Sequence, residues 1–243
     1  MGAEHARVVT ARRPKWRAYL LLSRLSNLPT VWSNVLAGTV ASRAPFHVRD
    51  IVLVSVAVSL LYTAGMFLND AFDHAFDATH RTDRPLPMGD VTRAEVLGIG
   101  FALLAAGGLL LAWTATTSAV LWALALAAAI LYYDCRHKRD RLGPLVMGVC
   151  RGLVYCLAAA AVGAAVSPAV VLAAVVITGY VVALTWVAKQ AGPQGGWLIP
   201  WLIAGISLVD AGVVIVNGGG SVALLAAAGF VLTLVLQRVV PGT

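Results

Sequence analysis

Carboxylates are scarce in this chain. Its 243 residues hold 11 Asp and Glu against 18 Lys and Arg, and charged residues of both signs make up only 12%. Cysteine is rarer still, at 3. Cys135, Cys150 and Cys156 form no C-x-x-C pair and have no metal-ligand spacing, so a disulfide framework and a thiolate metal module are excluded and reduced structural thiols are expected. No low-complexity run, linker or separate polar stretch interrupts the sequence, and one domain over residues 1–243 is expected. A soluble globular class is excluded too. Hydrophobic residues reach 60%, and the mean hydropathy is +0.84, well above the soluble norm.

What is present is hydrocarbon in long runs. A bilayer core needs about 20 apolar residues per helix. Eight stretches qualify as candidate spans: Trp16–Val40, Ile51–Leu68, Ala94–Trp113, Ala119–Tyr133, Leu145–Val166, Ala169–Val187, Trp197–Val216 and Val222–Gln237. The expectation is an all-α polytopic membrane protein. Trp16, Trp113, Trp186 and Trp197 fall near span ends, where an interfacial aromatic belt would put them. The basic N-terminal segment precedes a run too long for a secretory leader, and reads as a retained first helix.

The cations set the orientation. With the N-terminus inside, only Arg43 and Arg49 lie outside, and the other 16 of the 18 Lys and Arg are on or next to the inner side. That asymmetry predicts cytoplasmic termini and cytoplasmic long loops. The net charge of +7 is therefore an orientation signal. Nucleic acid is not an expected partner, because no basic domain exists to hold it.

Three of the 11 acids crowd into Asn69-Asp70-Ala-Phe-Asp73-His-Ala-Phe-Asp77, where the second span ends. On a helix, Asn69, Asp70, Asp73 and Asp77 share an arc of roughly 100°. Carboxylates this close repel one another, and a divalent cation would relieve the conflict. Mg²⁺ suits the pattern, since it takes one or two protein carboxylates and leaves other positions for water and phosphate. Arg81, Arg84 and the basic run after Asp134 supply donors for phosphate oxygens. Asn69, Asp73 and Asp77 are thus the candidate catalytic and metal-binding residues. Within the first span, Arg24 and Asn27 carry polar groups where a bilayer penalises them, which points to a head-group pocket. Asp210 also lies within a span, but nearer the outer side, and is left out of the site.

NDAFDHAFD followed by HRTDRPLPMGDV resembles the first aspartate motif of the UbiA superfamily of intramembrane prenyltransferases. SRLSNLPTVWSNVLAG resembles that family's first helix, and YYDCRHKRDRLGPLVMGVCRGLVY its fourth-helix end and fifth-helix start; the wording is nearest to the EboC-like branch. The resemblance implies helices around a central apolar cavity under a cytoplasmic cap. It also implies Mg²⁺-dependent transfer of an isoprenyl group from an isoprenyl diphosphate to a small, lipophilic or aromatic acceptor. By position, Asn69, Asp73 and Asp77 would hold Mg²⁺–diphosphate with Asp70 in support. Arg24 and Lys138 would contact phosphate, and Arg81 and Arg84 would order the loop.

Two departures stand beside it. The family's second aspartate cluster is absent from Thr185-Trp-Val-Ala-Lys189-Gln190, where Lys189 would have to offset phosphate charge instead. The family norm is nine spans, against eight here. A transporter or non-catalytic diphosphate-binding protein is the competing reading, disfavoured by acids at the membrane edge and by the lack of an internal repeat. A purely structural subunit is the third.

Overall fold

Asn27-Leu28-Pro29 interrupts what reads in the sequence as one first span. Proline cannot donate within a helix and fits best in a first turn. Here Pro29 opens a new helix. In the computed structural model, which describes residues 13–45, 47–114, 116–136, 140–191 and 196–242, the expected Trp16–Val40 helix is three pieces. These are α1 (Lys15–Ser23), a short 3₁₀ turn (Leu25–Asn27) and α2 (Leu28–Ala41). The joint is Arg24, whose backbone is left-handed at φ 46° and ψ 42°.

The remaining helices are α3 (Val48–Phe72), α4 (His74–His80), α5 (Arg93–Thr114), α6 (Thr117–Arg136), α7 (Gly143–Ala161), α8 (Pro168–Ala191), α9 (Leu198–Val216) and α10 (Val222–Gln237). The described residues contain no strand. Among the described residues, six helices are long and apolar enough to cross a membrane: α3 and α5 through α9. The expected count of eight is not exactly matched by this measure, because the first stretch is broken into pieces and α10 is apolar but 16 residues long. The other expected spans fall on helices, with α6 longer at both ends than Ala119–Tyr133 and α7 ending at Ala161, short of the expected Val166, where Gly163 at φ 77° turns the chain.

α2 is the hub of the bundle, packing on α3, α7, α8, α9 and α10. Its central position follows from small residues. A Cβ added at Gly38 would lie 2.6 Å from the Tyr155 Cα, so α2 and α7 meet backbone to backbone. Small residues allow such approach within lipid, where water provides no hydrophobic drive between helices. α3 packs on α5 and α6, α7 on α6 and α8, and α9 on α8 and α10. The large side chains outside this core, among them Leu109, Leu172, Val216 and Leu224, are exposed to the surroundings, as a lipid-facing surface requires. Trp16, Trp113, Trp186 and Trp197 are exposed as well. The described cysteines are free thiols.

The segment after α4 folds down as a cap. Leu86 and Val91 bury against Ala18 and Leu22 of α1 and Phe67 and Ala71 of α3. Gly89, at φ 73°, makes the turn that a side chain would strain. The Arg13 amide donates to the Asp90 carboxylate at 2.9 Å, and the Arg93 Nε donates to the Ala71 carbonyl at 2.9 Å.

The close approach at Gly38 is testable. Gly38→Leu is expected to lower stability by about 1–3 kcal/mol or more, as overpacking does. Gly108→Ala, where a Cβ meets nothing within 4 Å, is expected to leave it unchanged. Thermal unfolding of the purified protein in detergent measures both.

Candidate active-site cavity

Asp70 is where three parts of the chain meet. It is 5% exposed at the last turn of α3. Its Oδ1 accepts from Arg24 Nη2 at 3.0 Å and from Arg84 Nη1 at 2.9 Å. Arg84 Nη1 also donates to Asp77 Oδ2 at 3.1 Å. The left-handed joint of the first stretch, the end of α3 and the cap loop are therefore tied through one carboxylate.

The acidic motif is not one straight helix as its spacing suggests. α3 stops at Phe72, the chain bends at Asp73, and α4 begins at His74. The four-residue register survives the bend. The Asp73 amide donates to the Asn69 carbonyl at 2.9 Å, Asp77 to Asp73 at 2.9 Å and Arg81 to Asp77 at 2.8 Å. Asn69, Asp73 and Asp77 are all buried, at 7%, 8% and 1% exposure. Arginine pairing compensates Asp70 and engages Asp77, so part of the crowding is relieved within the protein itself.

These groups close one end of a cavity of about 400 Å³. Arg24, Asn69, Asp73, Arg81 and Arg84 line its polar end together with Tyr133 and Asp134 from α6. Apolar walls come from Val31, Val58, Leu126, Ile130, Val154 and Val181, with Ile199, Ile203 and Ile206 from α9. Six helices thus surround the space: α2, α3, α6, α7, α8 and α9.

Of the residues read from the sequence, Arg24, Asn27, Asn69, Asp73, Arg81 and Arg84 line this cavity. Asp70 and Asp77 stand just behind, joined to it through the arginines. Asn27 also bridges, donating to the Tyr62 hydroxyl at 3.1 Å and accepting from Gln237 Nε2 at 3.0 Å. Lys189 is exposed in the last turn of α8, whereas Thr185 and Ala188 of the same helix reach the lining. Lys138 lies outside the described residues. His74 and His80 take no part in the lining, and His80 stacks on Phe76 with centroids 4.1 Å apart.

Sequence reasoning missed Asp134 and Arg151. Asp134 is 4% exposed; its Oδ1 accepts from Asn69 Nδ2 at 3.4 Å, and its Oδ2 has no hydrogen-bond partner among the described residues. The available signal was an acid at the end of an apolar run. Arg151 was visible as a lone cation inside the fifth span. Asp140, in the turn before α7, accepts from the Leu142 amide at 2.9 Å and the Tyr132 hydroxyl at 2.8 Å. Those two donors, the amide foremost, hold its carboxyl below the usual range. Among the described residues, no group of three or more His, Cys, Asp or Glu forms a metal site from protein ligands of those types alone.

Fold and cavity together define an integral, multi-pass, all-α membrane protein whose cavity joins charged residues to apolar walls. The chain belongs to the UbiA prenyltransferase family, whose pattern matches residues 27–240. A solved UbiA homologue from Aeropyrum pernix shares the fold at a TM-score of 0.60 and 22% identity, over 86% of this chain and 94% of that one. Among curated proteins, the digeranylgeranylglyceryl phosphate synthase of Methanoculleus marisnigri is 31% identical over 60% of this chain and 52% of its own length. The 4-hydroxybenzoate octaprenyltransferase of Providencia stuartii is 31% identical over 57% and 50%. The chain spans about half the length of these curated relatives.

The Asp70 node gives a stability prediction. Arg84→Met is expected to cost about 1.5–3 kcal/mol, the usual worth of hydrogen bonds to a buried charge. Asp70→Asn added to it is expected to recover part of that loss. Unfolding of the two variants and of Asp70→Asn alone, run as a double-mutant cycle, measures the coupling.

Proposed function

We propose that this protein is a membrane-embedded prenyltransferase that moves an isoprenyl group from an isoprenyl diphosphate to a lipophilic or aromatic acceptor. The observation that supports the reading best is one cavity joining buried carboxylates, an amide and arginines to apolar walls. A diphosphate ester with a hydrocarbon tail has that same division of chemistry. The names of the curated relatives agree with prenyl transfer.

Mg²⁺ is the proposed cofactor, and the donors fit it. The side-chain oxygens of Asn69, Asp73 and Asp134 stand on the cavity wall, and Asp134 Oδ2 is buried with no hydrogen-bond partner among the described residues. Asn69, Asp73 and Asp77 are the proposed ligands, with Asp134 as an added donor and substrate phosphate completing the shell. Bound there, the ion would neutralise charge on the leaving diphosphate.

The chain's own residues supply the rest. Arg24, Arg81 and Arg84 offer charge-assisted hydrogen bonds to phosphate oxygens, as Lys138 would from the basic loop and Lys189 from the end of α8. Asp70 holds Arg24 and Arg84 at the cavity entrance, which limits the reorganisation needed when substrate binds. The allylic C–O bond then breaks, its electron pair leaving with the diphosphate oxygen. The acceptor's nucleophilic atom bonds to the resulting carbocation and gives up a proton. Apolar walls keep water from capturing the cation. The excess of basic residues on this side of the sequence's spans supports a cytoplasmic position for this end of the bundle and for both termini.

A diphosphate-binding or transport protein without turnover is the second reading, favoured by the acid-free end of α8. Purified protein with isoprenyl diphosphates of several lengths and a membrane extract, followed by mass spectrometry, separates the two. The expected result is a prenylated product with pyrophosphate release that EDTA stops and Mg²⁺ restores. Asp73→Ala and Asp77→Ala are each expected to slow turnover by at least about 100-fold. Full turnover in those variants overturns the assignment, and binding without product selects the second reading.

A further inference from the structure

The cavity stops partway along its helices. On α2, α3, α6, α7, α8 and α9, the lining residues farthest from the polar end are Val31, Val58, Leu126, Val154, Val181 and Ile206. All six are buried. Beyond this apolar floor each helix continues for about another 10–20 Å.

A polar clasp lies directly beneath the floor. Asn34 Nδ2 donates to both oxygens of the fully buried Asp210 carboxylate, at 2.9 and 2.8 Å, and the Ser33 and Tyr155 hydroxyls also donate to it. Ser33 and Asn34 follow Val31 within one turn of α2, and Tyr155 follows Val154 on α7. Asp210 stands one turn past Ile206 on α9. The clasp also reaches the wall, where Arg151 Nη1 donates to Asn34 Oδ1 at 2.7 Å. A hydrocarbon chain that pushed past the floor would have to separate these helices and strip donors from a buried carboxylate, which is costly. Val58 and Val154 do not swing aside either, because a β-branched side chain on a helix keeps one preferred rotamer.

The wall beside α10 is occupied as well. Gly242 lines the cavity, and its carbonyl accepts from Asn27 Nδ2 at 3.0 Å.

Helical rise gives the depth. Asn69 to Val58 on α3 is about 16 Å; Tyr133 to Leu126 on α6, Met147 to Val154 on α7 and Ala188 to Val181 on α8 are each about 10 Å. An isoprene unit adds four chain bonds of about 1.5 Å and advances roughly 5 Å when extended. The depth therefore takes about two to three units. The whole cavity, about 400 Å³, is near the lower end of the roughly 300–1,000 Å³ range of ligand sites, and diphosphate and acceptor share it.

We propose that Val58, Leu126 and Val154, backed by the Asp210 clasp, are a chain-length stop, and that the isoprenyl donor is a short one of the geranyl or farnesyl class. The donor's identity rests on the prenyl-transfer reading; the depth limit itself concerns binding alone.

The deciding experiment is equilibrium binding of unreactive S-thiolodiphosphates with dimethylallyl, geranyl, farnesyl and geranylgeranyl chains to the purified protein, at one fixed detergent concentration. Wild-type affinity is expected to peak at geranyl or farnesyl, with geranylgeranyl roughly tenfold or more weaker than the peak. Val154→Phe, which raises the floor, is expected to lower the farnesyl-to-dimethylallyl affinity ratio by about tenfold or more, the worth of two or so buried methylenes. Leu126→Ala, which deepens it, is expected to raise the geranylgeranyl-to-farnesyl ratio by about tenfold. Geranylgeranyl binding as tight as farnesyl in wild type, or variants that change every length alike, overturns the proposal. If either variant fails to fold, the wild-type length series decides alone. Binding ordered by length without any prenylated product upholds the depth limit and sinks only the transferase reading, whereas no binding at any length sinks both.

Discussion

The shared carboxylate of Asp70 organises the charged end of this protein. Buried charge is costly in a bilayer protein unless it is paired. Asp70 meets that requirement with Arg24 and Arg84 together. Arg24 comes from a left-handed joint, and from there its side chain reaches Asp70 on α3. Arg84 comes from the cap loop, which Leu86 and Val91 also anchor by burying against α1 and α3. One ion-paired node thus links the joint in the first stretch, the end of α3 and the cap loop.

The consequence for the site is a division of labour among carboxylates that look equivalent in sequence. Asp70 serves the arginines. Asp77 shares Arg84 with it. Asp73 lines the cavity at the bend, and Asp134 joins from α6 with an oxygen left unpartnered among the described residues. A family that normally draws acids from two loops is represented here by a chain whose second loop has none. The nearest added acid comes from another helix.

A second buried network lies deeper, and it is of another kind. Asp210, Asn34, Ser33 and Tyr155 satisfy one another between α2, α7 and α9. Asp210 looked detached from the site when counted along its helix. It is joined to the cavity through Asn34 and Arg151. Distance along one span did not reveal this, because the linking atoms belong to two other helices.

Much of the fold was legible because hydrophobic run length is dictated by the bilayer, and α3 and α5 through α10 follow it. The acidic motif was legible because a four-residue spacing keeps its meaning even across the bend at Asp73, whose flanking hydrogen bonds hold the register. What composition could not reveal was the break at Arg24, since an apolar run looks the same whether continuous or jointed; Pro29 was the available clue. Nor could it reveal Asp134 or Arg151 as cavity residues, because a side chain's neighbours depend on the rotation of its helix against others. Sequence alone determined a membrane protein with one polar motif at a helix end. Tertiary packing decided which charges neutralise each other and which remain to meet a ligand, since pairing within a low-dielectric interior depends on contacts between helices distant in the chain.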